Sequence, residues 1–254
     1  MKAIWKGSIG FGLVNIPIKL YSATQQSNLD LDMVEKKNMG KINYKRVNED
    51  SGREVKWEDI GKAYKLKDNY ILLDDEDFEN ASPEKSKIIE VNHFVKESEI
   101  NTIYYENSYY AEPEKSGVKA YALLREALTK TGKVGVAQFV LRTSEMLAVL
   151  KPYDKVLVLS KIRFAEEIRE PEGFSLPPKT GVKAAELKMA VSLINQYSGK
   201  FNIEKFKDEY SASLLKVIKA KSKGKKFTQK KSEVTASKTK DLMEQLKASL
   251  KKAS

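Results

Sequence analysis

The 254 residues are 41% hydrophobic and 32% charged, with a formal net charge of +11, one histidine and no cysteine. This is the balance of a globular chain with a heavily charged surface, and it excludes disulfides, thiol catalysis and cysteine-held zinc. No apolar run approaches the roughly 18 residues of a membrane span, and the N-terminus lacks a secretory pattern, so a cytoplasmic setting with no membrane partner is expected.

The chain opens on two β-type runs, Ala3 to Ile9 and Leu13 to Tyr21, separated by a bend at Gly10 and Gly12. Ile16, Ile18 and Leu20 alternate with Pro17, Lys19 and Tyr21, which gives the second run one apolar face. Pro17 predicts an edge or a bulge there. A phosphate cradle built on Gly7, Gly10 and Gly12 fails on spacing, because neither G-x-G-x-x-G nor G-x-x-x-x-G-K-[ST] is present. The first strand pair of a barrel or sandwich is the better reading.

Residues 29–65 are polar and basic, with turns at Gly40 and at Asn48 to Gly52 and short strands expected at Lys41 to Val47 and Arg53 to Trp57. This β arm is either a solvated hairpin or a basic ribbon that tracks phosphates, with Tyr44 and Trp57 interleaved. Glu49, Asp50, Glu54, Glu58 and Asp59 restrict any positive field to one face. A strand at Tyr70 to Leu73 leads to Asp74-Asp-Glu-Asp-Phe-Glu79, acids of the kind a helix N-terminus favours. The rival use of Asp74, Asp75 and Asp77 is a metal-dependent nuclease, but catalytic carboxylates usually converge from separate elements. Ser86 to Val95 is the next strand and carries the lone histidine, His93, which reads as packing.

Val118 to Thr131 is an amphipathic helix with Tyr121, Leu124 and Leu128 on one face and Gly132 placed to end it. The strongest β signal follows: Val134 to Arg142, Met146 to Pro152 and Lys155 to Arg163, joined by hairpins. Pro171 to Pro178 reads as a linker. Two helices are expected beyond it, Lys183 to Gln196 with Leu187, Val191 and Ile194 in step, and Lys207 to Lys221 with Leu214, Leu215 and Ile218 inward. From Lys216 to Ser254 there are 13 lysines against 3 acidic residues, whereas the preceding 215 residues carry 33 basic against 32 acidic. A weak amphipathic helix at Lys240 to Lys252 lies in this otherwise flexible tail. The expected fold is α+β: an antiparallel β-barrel core with an extended β arm (1–170), C-terminal helices (171–224) and a flexible basic tail (225–254).

Three dense segments carry a resemblance. Ala3-Ile-Trp-Lys-Gly-Ser-Ile-Gly-Phe-Gly-Leu-Val-Asn-Ile-Pro-Ile-Lys-Leu-Tyr-Ser-Ala-Thr24, the run from Asn107 to Leu128 with Tyr109-Tyr110 and Glu112-Pro113, and Phe206 to Gly224 resemble the bacterial Ku proteins, the DNA-end-binding factors of non-homologous end joining. The resemblance spans Met1 to about Gly224. It implies a homodimer whose barrels and arms ring duplex DNA, threaded from an end regardless of sequence. It also implies recruitment of an ATP-dependent ligase D-type enzyme, and no catalysis or cofactor.

On that reading Lys36, Lys37, Lys41, Lys45, Arg46 and Arg53 of the arm line the channel, with Lys133 and Arg142 of the barrel. Lys225, Lys226, Lys230 and Lys231 make a second, non-specific DNA contact, and Tyr210, Leu214 and Lys216 fall where the family meets its ligase. The alternative is a basic architectural nucleic-acid-binding protein. The sequence departs from the family in one respect. Many bacterial members carry an H-x2-C-x9-C-x2-C set in the arm, and Glu35, Asn38, Asn48 and Ser51 stand at those positions here. Asn and Ser cannot replace thiolate or imidazole on zinc. No zinc is predicted, and hydrogen-bonded turns must steady the arm.

Overall fold

In a computed structural model, residues 1–81, 87–141, 144–178, 181–225 and 242–253 are described. The elements of the first part are β1 (Trp5–Phe11), β2 (Val14–Ser22), β3 (Lys62–Leu66), β4 (Asn69–Leu73), α1 (Asp75–Ala81), β5 (Ile88–Lys96) and β6 (Tyr105–Pro113). Then come α2 (Val118–Thr131), β7 (Lys133–Leu141), β8 (Ser144–Tyr153), β9 (Val156–Ile162), α3 (Ala184–Tyr197), α4 (Glu209–Lys221) and α5 (Leu242–Ala253). The chain divides into two compact units, Met1–Gln26 with Asp32–Glu170, and Ser27–Leu31 with Pro171–Ser254.

In the first unit seven strands close a barrel in the order β1-β2-β6-β9-β8-β7-β5. Period-2 alternation sends one row of each strand inward: Ile16, Ile18 and Leu20 from β2, Leu157 and Leu159 from β9, with Tyr121, Leu124 and Leu128 of α2 in the same core. Every barrel pair is antiparallel except the one that closes it. There β1 runs parallel to β5, from Ser8↔Ile88 to Gly10↔Glu90. Glycine makes this seam possible. A Cβ on Gly7 would stand 2.3 Å from the Lys87 carbonyl oxygen, and one on Gly10 would stand 2.8 Å from Ile88 Cγ2. These glycines admit the closing strand as well as bending the sheet.

Two local expectations change. Strand β2 is internal, flanked by β1 and β6, rather than an edge. Pro17 is tolerated because the β2–β6 ladder stops beside it, at Ile18↔Pro113, and the Pro17 carbonyl accepts instead from Glu114 N at 2.8 Å. His93 is exposed, next to the bulge between Val91 and His93, and does not serve as packing.

The second unit is helical. Asp208 caps α4, its carboxylate accepting from Ser211 N at 3.0 Å, and these hydrogen bonds hold its pKa below the usual value. Helix α5 packs on α3. The half-buried face of α3 is Glu186, Met189, Ala190 and Leu193, so Leu187, Val191 and Ile194 form a second apolar face that stays exposed. On α4, Leu214 is half-buried while Leu215 and Ile218, expected inward, are exposed. No described residue of this unit is buried. The periodicity marks apolar faces that the described residues leave exposed. The last helix lies within the stretch expected to be a flexible tail.

Candidate nucleic-acid interface

The arm follows β2 and is not the pair of short strands expected at 41–47 and 53–57. It is built from two tight turns of one pattern. In the first, Glu35 N donates to Gly40 O and Met39 N donates to Glu35 O, both at 2.8 Å. In the second, Asn48 N donates to Arg53 O and Gly52 N donates to Asn48 O, both at 2.9 Å. Single bridges, Val34↔Lys41 and Val47↔Glu54, close each loop. The left-handed positions are Met39 (φ 60) and Gly52 (φ 65).

At three of the four positions where zinc ligands would stand, Asn38, Asn48 and Ser51, the side chains bond within their own turn. Asn38 Oδ1 accepts from Gly40 N at 2.8 Å, and Asn48 Oδ1 accepts from both Ser51 N and Ser51 Oγ at 2.9 Å. These groups do not fit zinc: the set is one carboxylate, two amides and a hydroxyl, and three of the four are engaged in hydrogen bonds. Among the described residues no three of His, Cys, Asp and Glu come together as a metal site.

The predicted cations are arranged along this scaffold. Lys36 and Lys37 are exposed on the first turn, and Lys41 pairs with Asp32 at 3.5 Å. Lys45 Nζ lies 2.6 Å from Glu54 Oε2, across the second loop. The Arg46 guanidinium lies 4.5 Å from the centre of the Trp57 ring. Arg53 is exposed beside Gly52, and Lys133 is exposed at the start of β7. Arg142, Lys226, Lys230 and Lys231 lie outside the described residues. Lys225 is exposed, its N–H donating to Ala220 O at the end of α4. Tyr210 and Leu214 share a face of α4, four residues apart, whereas Lys216 lies on another.

The strand expected at Tyr70 to Leu73 is present as β4, but its partner β3 and their pairing were missed. Strands β3 and β4 form a two-stranded ribbon from Lys62↔Leu73 to Leu66↔Asn69, with Lys67 left-handed (φ 54) in the turn. Lys65 lies over Tyr70 at 5.8 Å and Lys62 over Phe78 at 5.1 Å, so cation–aromatic pairing continues past residue 65. Alternation in Lys62-Ala-Tyr-Lys-Leu, followed by a polar pair and Asn-Tyr-Ile-Leu-Leu, was the available hairpin signal. The acids after it cap a helix. Asp77 N donates to Asp74 Oδ1 at 2.9 Å, and Asp74 N donates to Asp77 Oδ2 at 3.0 Å.

This barrel and arm have relatives. The family model described as the Ku70/Ku80 beta-barrel domain matches residues 10–189. The chain belongs to the Ku family. It is 36% identical to the non-homologous end joining protein Ku of Coxiella burnetii, over 98% of this chain and 94% of that one. It is 37% identical to the protein of the same name from Archaeoglobus fulgidus, over 98% of both chains. The Ku of Bacillus subtilis is 38% identical over 87% of this chain and 72% of its own. No helix among the described residues is long and apolar enough to cross a membrane.

Proposed function

We propose that this Ku-family chain binds the ends of double-stranded DNA without regard to sequence, as a homodimeric ring that protects the end and recruits an ATP-dependent ligase D-type enzyme. The observation that carries the reading is the arm: a run of exposed cations on hydrogen-bonded turns, attached to a barrel of the end-joining family. Phosphate contacts need only Lys and Arg and carry no sequence information, which suits a protein that must accept any end. A closed ring can hold DNA topologically with modest affinity per contact, so the near-neutral body is no obstacle.

The homodimer is supported by what the chain leaves uncovered. Its helical unit buries none of its described residues, and Leu187, Val191 and Ile194 form an exposed apolar stripe on α3. A unit that buries none of its described side chains is stabilised by a partner surface, and a second copy is the simplest source. Tyr210 and Leu214 on α4 are the expected ligase contact, with Lys216 at its margin.

The test is a competition at physiological salt between a linear duplex and the same DNA as a closed circle. Strong preference for the linear form is expected, and equal binding would reduce the protein to a non-specific architectural one. Lys45→Glu with Arg46→Glu should weaken binding to linear DNA and lower the salt slope by about one unit per lost phosphate contact. An unchanged slope removes both residues from the channel.

A further inference from the structure

Strand β4, Asn69-Tyr-Ile-Leu-Leu73, carries no charge, and its outer edge pairs with nothing among the described residues. Its partner β3 is the opposite case, with Lys62 and Lys65 in the strand and Lys67 in the turn. Edge strands are normally blunted with lysine, as β3 is. A bare, uncharged, β-prone edge is a template for another strand. The ribbon also lacks cover on its faces: Tyr64 is 66% exposed, Tyr70 72% and Leu72 69%. An isolated two-stranded ribbon is marginal in water, so this one needs additional strands or a packed face.

We propose that β4 pairs edge to edge with β4 of a second copy, antiparallel about a two-fold axis, giving a four-stranded sheet in the order β3-β4-β4-β3. This deepens the homodimer reading and rests on it: the paired ribbons would be the contact that closes the ring. The sequence of β4 suits self-pairing. With Ile71 on the axis, Ile71 faces itself and Tyr70 lies opposite Leu72 of the other copy on both sides, so the central cross-strand pairs are aliphatic–aliphatic and aromatic–aliphatic, with Asn69 opposite Leu73 at the strand ends. Beyond the strand, Lys67 comes opposite the acidic start of α1 at Asp75. The one unfavourable apposition, Asp68 against Asp74, falls outside the strands, where Asp74 is already engaged with Asp77. The lysine-bearing β3 becomes the outer edge on both sides, and the new sheet ends blunted. Closure about a two-fold axis covers the β4 edge of both copies at once and stops growth at two copies.

The absence of cysteine from the 254 residues gives a clean test in the intact chain. Residues opposite one another on an antiparallel two-fold axis have Cα atoms about 4.5–5.5 Å apart, within disulfide range. Single variants Tyr70→Cys, Ile71→Cys and Leu72→Cys on β4, with Tyr64→Cys on β3 as the control, are oxidised mildly and run without reductant. Ile71→Cys is expected to give the covalent dimer in highest yield. Tyr70→Cys or Leu72→Cys above the control would keep the strand pairing and move its axis by one residue. A second variant, Leu72→Lys without any cysteine, should raise the dimer dissociation constant at least tenfold by light scattering.

If the wild-type chain is a monomer, the homodimer reading fails and this pairing fails with it. If the wild type is a dimer, the pairing alone is overturned by either of two results. One is no β4 variant crosslinking above Tyr64→Cys; the other is Leu72→Lys leaving the dimer unchanged.

Discussion

The Tyr121 hydroxyl stands between two backbone groups, donating to Ala111 O at 2.7 Å and accepting from Leu157 N at 2.6 Å. Ala111 and Leu157 are the last pair in the β6–β9 ladder, so a side chain from α2 completes the hydrogen bonding where the strands part. Tyr121→Phe leaves a buried carbonyl and a buried amide unpaired while changing the packing little, and should cost about 2 kcal/mol in urea unfolding. Burial raises the hydroxyl's pKa above 10.0, against opposing effects of the Leu157 amide and Arg125. The fold therefore favours the neutral phenol: this contribution is complete below pH 10 and is lost as pH rises through the folded value. Wild type should lose stability more steeply than Tyr121→Phe above pH 10. Tyr105, raised mainly by burial and also by Glu97, titrates in the same direction, so some alkaline slope should survive the substitution. Equal slopes in the two proteins would show that Tyr121 is not the group responsible.

At the scale of elements, the barrel was legible where a strand's own alternation meets strands that alternate in step. Lys133 to Ile162 reads as three strands because each apolar row has another to face. The arm has alternation too, in Lys41-Ile-Asn-Tyr-Lys-Arg-Val47, but no neighbouring strand, and its backbone groups are satisfied inside two turns. The cations of the candidate interface were visible in the sequence, whereas the pairing of Lys45 with Glu54 depends on which residues the second loop brings opposite one another. The closing β1–β5 seam was not legible either, since nothing in Gly7 or Gly10 announces a parallel partner about eighty residues away. If side-chain hydrogen bonds alone steady the second turn, Asn48→Ala should free the amide and the hydroxyl of Ser51. Hydrogen exchange over 48–53 should then quicken while the barrel's unfolding transition stays in place. Protection that persists would mean the backbone bonds from Gly52 and Asn48 suffice.

At the scale of the whole molecule, charge separates two tasks that the family's function combines. The 33 basic and 32 acidic residues of the first 215 positions give the body little long-range pull, so under the proposed function end selection is assigned to geometry at the arm. The 13 lysines from Lys216 onward can attract any phosphate backbone, ended or not. Replacing Lys225, Lys226, Lys230 and Lys231 with Gln should therefore weaken linear and circular DNA binding alike, with the salt slope lower by up to about 3–4 units if all four contact phosphate. The ratio of linear to circular affinity should hold or rise, because the sequence-independent background falls while the arm is untouched. Lys45→Glu with Arg46→Glu should do the reverse, lowering the ratio with a smaller change in slope. Measured side by side in the same buffer, the two variants assign the work. If the ratio collapses in the tail variant and survives in the arm variant, end preference belongs to the C-terminal lysines, and the arm is a solvated pair of turns.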